Sequence, residues 1–313
     1  MTSFFLQRLG VAALTLWLVT LLVFWALLLV PGDPAQTILG LEASPEALAA
    51  LRHQLGLDRP PVLRYVEWLS RVVRGDLGTS IRYGRPIGDL IAARLGVTLP
   101  VVFASVGVAA TLGTMLGTIA ARAAGYRLDL VVSTFALGGI VLPSFWVGLL
   151  FIGFFSVRLG VLPSGGFPGW HHLPAALAHL VLPVLTLALT RAALFARMVR
   201  ASLLEVLGED YVRTARAKGV PEERILVRHA LRNAAIPIVT VLGLEFAQLL
   251  TAALVVESVF TLPGLGTLVL VGIEARDYPL VQGIVLVLAF FIVVLNLLTD
   301  VLYALLDPRV AYG

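Results

Sequence analysis

The 313-residue sequence contains no cysteine and few charged side chains. Without cysteine, disulfide bonds, thiolate catalysis and cysteine-ligated metal sites are excluded. Only 13% of the residues are charged, whereas an ordinary soluble domain has about 25%. Because 59% of the residues are hydrophobic and the mean hydropathy is +0.95, most of the chain is expected to lie in lipid.

The sequence also lacks the motifs of common catalytic sites. No G-x-x-x-x-G-K-[ST] phosphate loop occurs, so the chain is expected to hydrolyse no ATP itself. Ser164 lies outside any Gly-x-Ser-x-Gly motif, which argues against a serine hydrolase. His171, His172 and His179 have no cysteine or matched acidic ligand near them, which argues against a metal site. We therefore expect a protein that is not an enzyme and holds no metal.

Hydrophobic runs recur along the chain. A spanning helix needs about 20 predominantly apolar residues. Four runs without charge and two runs that each contain one ionisable residue reach or approach that length: Leu9–Gly32, Leu95–Ala121, Leu130–Val157, Leu173–Thr190, Asn233–Val256 and Tyr278–Thr299. The first run has no small-x-small cleavage site after it, so we interpret it as a retained span. The pattern predicts an all-α integral membrane protein with six transmembrane helices.

The distribution of basic residues predicts the orientation. With the N-terminus inside, thirteen bases lie on the cytoplasmic side, and the short outer loops hold only Arg158 and Arg276. The segment 33–94 is an exception with eight arginines, but it also has seven acids and exceeds the loop length to which the rule applies. An N-in, C-in topology follows. Because the bases flank spans, orientation explains them better than nucleic-acid binding does.

The segment 33–94 is predicted to be a small extracytoplasmic subdomain between the first two spans. Ser44 and Pro45 predict a helix start, and that helix would end near Gln54. A second helix is expected from Pro60-Pro61 to Gly75, with an irregular or strand-like piece after it. No internal repeat relates two halves of the chain, which favours a pathway completed by another chain over a secondary transporter with inverted repeats.

Residues 205–237 place a polar, helix-compatible segment between two hydrophobic runs. The segment carries six bases and five acids. Gly219 and Pro221 predict a tight turn between two helices, the first continuing from the fourth span through about Ala217. Such an element could be presented to a partner protein or could lie on anionic lipid. The five acids nearly cancel the bases, so we favour the partner.

The segment resembles the cytoplasmic coupling loop of ABC importer permeases. The sequences Asp210-Tyr211-Val212-Arg213-Thr214-Ala215-Arg216-Ala217-Lys218-Gly219 and Arg228-His229-Ala230-Leu231-Arg232-Asn233 resemble the dipeptide/oligopeptide/nickel branch. Further matches are Phe5 with Arg8-Leu9, Pro31-Gly32-Asp33-Pro34, Gly75-Asp76-Leu77-Gly78, Val259-Phe260 with Pro263-Gly264-Leu265-Gly266, Arg276-Asp277-Tyr278-Pro279, and Tyr303 with Leu306-Asp307-Pro308-Arg309. Together they resemble the first of the two permeases of such systems. Arg213 replaces the glutamate of the broad consensus and Arg232 its later proline.

The resemblance implies a multi-pass permease subunit in a bacterial or archaeal cytoplasmic membrane. It implies contact with an ATPase through Asp210, Tyr211, Arg213, Thr214, Ala215, Lys218 and Gly219. It also implies as partners a second homologous permease, two ATP-binding subunits that hold ATP and Mg, and an extracytoplasmic binding protein that delivers di- or oligopeptides. Nickel chelates and glutathione are alternative substrates, and an ATP-independent secondary transporter is the alternative mechanism.

Polar residues at membrane depth are candidates for lining the pathway. Glu245 and Gln248 lie three residues apart in the fifth hydrophobic run, hence on one helix face. They line the pathway or hydrogen-bond two helices together, and the sequence leaves both open. The predicted domains are the N-terminus with the first span (1–32), the extracytoplasmic subdomain (33–94), the importer core (95–306) with its coupling loop (201–233), and a cytoplasmic tail (307–313).

Overall fold

A computed structural model describes residues 2–29, 34–40, 43–54 and 56–306. The predicted tail 307–313 and the Pro31-Gly32-Asp33 part of the family motif lie outside these residues. In the described ranges the regular secondary structure is helical, with one isolated antiparallel bridge between Thr79 and Pro86. The predicted all-α fold class is confirmed.

Thirteen α-helices follow one another in the described part of the chain. They are α1 Thr2–Leu29, α2 Pro34–Leu39, α3 Pro45–Gln54, α4 Pro61–Val73, α5 Ile87–Arg122, α6 Arg127–Val141, α7 Ser144–Phe151, α8 Leu173–Leu207, α9 Asp210–Ala217, α10 Glu222–Arg224, α11 Leu231–Val259, α12 Leu265–Glu274 and α13 Tyr278–Leu306. Two π-helical stretches, Ile152–Arg158 after α7 and Ile225–Ala230 before α11, continue the helices beside them.

Contacts divide the chain into two compact units. One unit holds Val97–Gly266 and the described residues from Leu295 onwards, and the other holds Thr2–Gly96 with Thr267–Val294. The first unit contains the segment that resembles the coupling loop. The second unit contains α1 to α4 and the first part of α13, up to Val294.

The two short helices predicted between the first two spans are present in the second unit. The Ser44 hydroxyl accepts a hydrogen bond from the Ala47 amide at 3.2 Å, which confirms Ser44 as the N-cap of α3. α4 begins at Pro61 and ends before Gly75, whose φ of +83° suits a glycine that terminates a helix.

Among the described residues, four helices are long and apolar enough to cross a membrane: α1 from Leu6, α5, α8 and α13 up to Val301. The prediction of one continuous helix over Leu130–Val157 is wrong, because α6 and α7 meet at a bend of 102°. Leu142 is extended with ψ of 125°, as expected for a residue before proline, and Pro143 offers no N–H to continue the helix. If this bent pair is counted as one span, the described residues contain five candidate spans. The total of six spans stays a prediction.

Small residues bring α5 close to α8 in the first unit. A Cβ on Gly113 would overlap the Cβ of Phe195, and a Cβ on Gly117 would overlap Val199. Ala109, Ala188, Ala192 and Phe195 form a buried cluster along the same contact. Since lipid provides no hydrophobic drive for helix association, such close packing is a main source of cohesion between spans.

The buried carboxylate of Glu257 organises the turn between α11 and α12. It accepts hydrogen bonds from the Thr98 hydroxyl at 2.6 Å and from the Gly266 amide at 2.7 Å. Thr98 in turn accepts the Leu265 amide at 2.9 Å. The first amides of α12 are thereby satisfied by side chains. A Cβ on Gly264 would collide with the Glu257 carboxylate, which explains a glycine there.

A second buried carboxylate, Asp277, starts α13 in the other unit. It accepts the Leu280 amide at 3.2 Å, which is the hydrogen bond of an N-cap residue. Its other oxygen accepts the Ser80 hydroxyl at 2.5 Å and the Arg82 amide at 2.9 Å. The Arg276-Asp277-Tyr278-Pro279 motif is therefore a helix start that also holds the irregular segment around residue 80.

The α5–α8 contact makes a testable prediction. Gly113→Ala should lower stability by about 1–3 kcal/mol, the usual cost of overpacking, because the new methyl meets Phe195 and the Ala192 carbonyl. Gly107→Ala is the matched control on the same helix, since its Cβ would meet no atom within 4 Å. In an exposed helix position this change alone stabilises by about 0.5–1 kcal/mol. Thermal unfolding in detergent measures both, and equal melting temperatures would contradict the packing argument.

Candidate functional site

The polar segment after α8 forms a helical hairpin, comprising α9, a turn at 218–221 and α10. α8 ends at Leu207, so the prediction of one helix running through to Ala217 is wrong. Gly208 closes α8 with a bond from its amide to the Glu205 carbonyl at 3.0 Å. Glu209 is then extended with ψ of 149°, and α9 starts at Asp210. The break separates the hairpin from the span.

The predicted turn at Gly219 and Pro221 is present. The Gly219 amide donates to the Arg216 carbonyl at 2.9 Å, and the Val220 amide donates to the Ala215 carbonyl at 3.2 Å. These two bonds with a left-handed glycine, φ +73°, form a Schellman motif. Pro221 precedes α10 as its cap rather than as its first residue. Gly219 is thus required by the backbone conformation of the turn.

An ion pair clamps the two arms of the hairpin. The Arg216 Nε donates to Glu222 Oε1 at 2.6 Å, and a second guanidinium nitrogen donates to Oε2 at 3.3 Å. Hydrogen bonding to Arg216 lowers the pKa of the Glu222 carboxyl, and the same bond raises the pKa of Arg216. The pair therefore persists at any pH above the lowered pKa of Glu222 and is lost as the pH falls through it.

The underside of the hairpin is anchored on the spans. Val212 of α9 and Ile225 at the end of α10 are fully buried. A buried cluster joins the segment that follows the hairpin to the ends of α5 and α8: Ala121, Val199, Leu203, Leu226, Ala230 and Ala234. Arg122 at the end of α5 also lies 3.8 Å from Glu223. The hairpin and the segment that follows it are therefore in direct contact with the ends of α5 and α8.

The outer face of the hairpin carries the residues predicted for partner contact. Ala215 is half-buried, and the others are exposed: Asp210, Tyr211, Arg213, Thr214, Lys218 and Gly219. Arg213 lies 3.5 Å from Asp210 in an exposed i,i+3 pair, and the Thr214 hydroxyl bonds its own helix at the Asp210 carbonyl. These contacts of Asp210, Arg213 and Thr214 thus join residues of α9 to one another.

Glu245, one of the two predicted pathway residues, is buried and paired. Its Oε2 lies 3.1 Å from a guanidinium nitrogen of Arg191, which joins α11 to the middle of α8. Gln248 is exposed three residues further along α11. The two side chains therefore differ in environment. Glu245 forms an ion pair between two helices, and Gln248 is exposed on the surface of the unit.

Two polar partners were missed by the sequence interpretation. Arg191 is one of the thirteen bases that the sequence interpretation counts as cytoplasmic, and it lies in mid-helix, 3.1 Å from Glu245. Arg200 forms a two-point ion pair with Asp129 at 2.6 and 2.7 Å, which joins α8 to the first turn of α6. The sequence does contain a signal for these two ion pairs. Arg191, Arg197 and Arg200 lie within a largely apolar run, where each charge needs a partner.

The histidines considered for a metal site do not converge with acids. His171 and His172 are exposed just before α8, and His179 Nδ1 lies 2.8 Å from the Ala175 carbonyl of its own helix. Within the described residues no group of three or more histidine, aspartate or glutamate side chains is arranged to hold a metal ion.

Comparisons with known proteins place this geometry in a family. Residues 113–312 match the family described as binding-protein-dependent transport system inner membrane component. Residues 1–101 match the N-terminal part of such membrane components. The two matches cover almost the whole chain.

Relatives and a solved structure agree with that match. The chain is 43% identical over 312 residues to the glutathione transport system permease protein GsiC of Escherichia coli O6:H1. It is 41% identical over 313 residues to a putative peptide transport system permease protein of Brucella suis. Both alignments cover all of each chain.

Among solved structures, an inward-facing MetNI methionine ABC transporter has the same fold at 19% identity, with a TM-score of 0.59 over 70% of this chain and 96% of that one. The apolar helices and the family assign the chain to the inner membrane as a multi-pass protein. As a transport permease it is not itself an enzyme. The chain belongs to the binding-protein-dependent transport system inner membrane component family and is an ABC importer permease subunit of the peptide/nickel branch.

Proposed function

We propose that this permease imports small peptides and receives the energy for transport through the α9–α10 hairpin. The observation that carries the proposal is the two-sided construction of the hairpin. Its outer face exposes a short amphipathic helix, whereas the residues that directly follow it, Leu226, Ala230 and Ala234, pack against the ends of α5 and α8. A partner that pushes on the outer face would move two spans.

The partner proposed for the outer face is an ATPase subunit that binds ATP and Mg. The contact residues are Asp210, Tyr211, Arg213, Thr214, Ala215, Lys218 and Gly219. They suit a protein groove because they mix one aromatic ring, small residues and charges of both signs. A lipid surface would favour a net basic face, and here the acids at 209, 210, 222 and 223 oppose the bases.

The proposed assembly pairs this chain with a second homologous permease, two ATP-binding subunits and an extracytoplasmic binding protein. We propose the N-in, C-in topology with six spans, in which α11 supplies the span that contains Glu245. Much of the apolar surface on α6 and α7 is exposed, including Phe135, Leu149 and Leu150. That surface is available to lipid or to the second permease.

A small peptide is the proposed substrate. One relative at 43% identity is named for glutathione, which is a tripeptide, and another at 41% is named for peptides. Nickel chelates are the alternative within the branch. Glu245 with its partner Arg191 is the candidate charged site on the pathway, and Gln248 is a further candidate on the same helix.

The assembly can be tested by purification. The full chain, extracted from its native membrane in a mild detergent, should copurify with ATPase chains and a second permease. Uptake of a labelled dipeptide or of glutathione into proteoliposomes should need ATP and should survive collapse of ion gradients. Uptake driven by an ion gradient without ATP would instead identify a secondary transporter.

The hairpin can be tested with Gly219→Trp. We expect the complex to assemble but substrate-stimulated ATP hydrolysis to fall at least about tenfold, because a bulky residue is added at the contact face and Gly219 has a positive φ. Gly160→Trp is the matched control. Gly160 also has a positive φ, +65°, with open space around it, and it lies outside the hairpin. Equal hydrolysis in the two variants would refute coupling through the hairpin.

The role of Glu245 can be separated from a structural role by comparing variants. Removing one partner of a buried ion pair costs about 3–5 kcal/mol, so Glu245→Gln alone should destabilise the chain, and Glu245→Gln with Arg191→Gln should recover part of that loss. If Glu245 lines the pathway, the double variant should still transport at least about tenfold more slowly per assembled complex. Asp129→Asn with Arg200→Gln is the matched control for a purely structural pair. Normal uptake by the stable Glu245/Arg191 double variant would assign the pair to structure alone.

A further inference from the structure

A cavity in the second unit lies at the ends of two membrane spans. It has a volume of about 720 Å³, which is within the range of small-molecule sites. One wall comes from Leu27 and Leu28 in the last turns of α1, and another from Tyr278 and Gln282 in the first turns of α13. Because both helices are long enough to span a membrane, their ends place the cavity at the level of lipid headgroups.

The remaining walls are basic. Four arginines line the cavity, against two acids: Arg52, Arg59, Arg64 and Arg71, with Glu67 and Asp76. Both carboxylates already have partners. Glu67 accepts two hydrogen bonds from Arg59 at 3.0 and 3.3 Å, and Asp76 accepts the Gly78 amide at 2.8 Å. The cavity therefore keeps a net positive charge that its own acids do not neutralise.

Two polar side chains in the cavity lack partners within the part of the chain that the structure describes. Arg64 is half-buried, and no described carboxylate reaches its guanidinium. Burial lowers the pKa of Arg64, because it destabilises the charged form of the guanidinium. A bound anion would stabilise that charged form. The Tyr278 hydroxyl, which also lines the cavity, is buried and has no hydrogen-bond partner among the described residues, and Gln282 of the cavity wall is more than nine-tenths buried.

An aromatic cluster fixes this cavity to the first span. Phe24 of α1 packs against Tyr65 and Trp68 of α4, with ring centroids 5.4 and 6.0 Å apart. The Tyr65 hydroxyl also lies 2.9 Å from the Thr20 hydroxyl of α1. Arg64 and Arg71 are on the same short helix as these rings, so their position relative to the membrane surface is set by the cluster.

We propose that this cavity binds the phosphate headgroup of an anionic phospholipid, with Arg64 and Arg71 on the phosphate and Gln282 on the headgroup hydroxyls. Guanidinium groups suit phosphate oxygens because they donate in pairs. The acyl chains would lie along α1, where Trp25 and Leu29 are exposed beside the cavity. On the proposed N-in topology the lipid belongs to the outer leaflet.

The test measures lipid retained by the full chain after purification in mild detergent. Native mass spectrometry with equimolar phosphatidylglycerol and phosphatidylethanolamine should show at least a fivefold preference for phosphatidylglycerol in the wild type. Equal retention of the two lipids by the wild-type protein would by itself overturn the proposal. This readout does not involve transport, so its failure is distinguishable from failure of the proposed import function.

Variants then locate the site. Arg64→Gln with Arg71→Gln should reduce retained phosphatidylglycerol at least fivefold. Arg74→Gln with Arg85→Gln is the matched control, because these arginines are exposed in the same unit and do not line the cavity. An equal loss in both double variants would indicate general surface attraction and would overturn the site. Thermal unfolding of the delipidated proteins checks that both variants are folded.

Competition distinguishes the source of the anion. Glycerol 1-phosphate or inorganic phosphate in the millimolar range should leave the lipid in place, since acyl contacts along α1 add to the affinity. Displacement by either small anion would identify a site for free phosphate. Displacement by a dipeptide would identify a substrate site. Either result would overturn the lipid assignment.

Discussion

The fold depends on satisfying polar groups at the places where helices stop inside or beside the membrane. Lipid offers no hydrogen bonds, so each break in a helix exposes amides and carbonyls that need partners within the protein. Glu257 supplies them at the start of α12, together with Thr98. Asp277 does the same at the start of α13. These two carboxylates explain why the neighbouring motifs combine an acid with glycine or proline.

The same constraint explains the construction of the hairpin. Its backbone needs are met locally, by the Schellman turn at Gly219 and by the Arg216–Glu222 clamp, so the outer side chains can remain exposed. Leu226, Ala230 and Ala234, which follow the hairpin directly, pack on the ends of α5 and α8. Local hydrogen bonding and the packing of the following residues leave one surface of the hairpin exposed, and the proposed ATPase contact uses that surface.

Much of this could be predicted because the signals are local. Ser44 and Pro45 begin α3, and Gly219 ends α9, because capping and left-handed turns depend on a few neighbouring residues. Two breaks were missed. The residues at 142–143 lie inside an apolar run whose hydrophobicity masks the proline, and Gly208 interrupts a stretch with continuing helical spacing. Hydrophobic periodicity shows which residues could share one face of a helix. It does not detect a break in the helix that involves only one or two residues.

The sequence by itself determined that most of this chain lies in lipid, that the fold is helical, where the hairpin turns and, through its motifs, which family it belongs to. These follow from composition and short-range spacing. Only the tertiary structure decided which charges meet: Arg191 with Glu245, Arg200 with Asp129, and the basic cavity around Arg64. Those partners are separated by tens of residues, and their pairing depends on how helices pack, because the free energy of a charge in a low-dielectric setting is set by the nearest opposite charge in space.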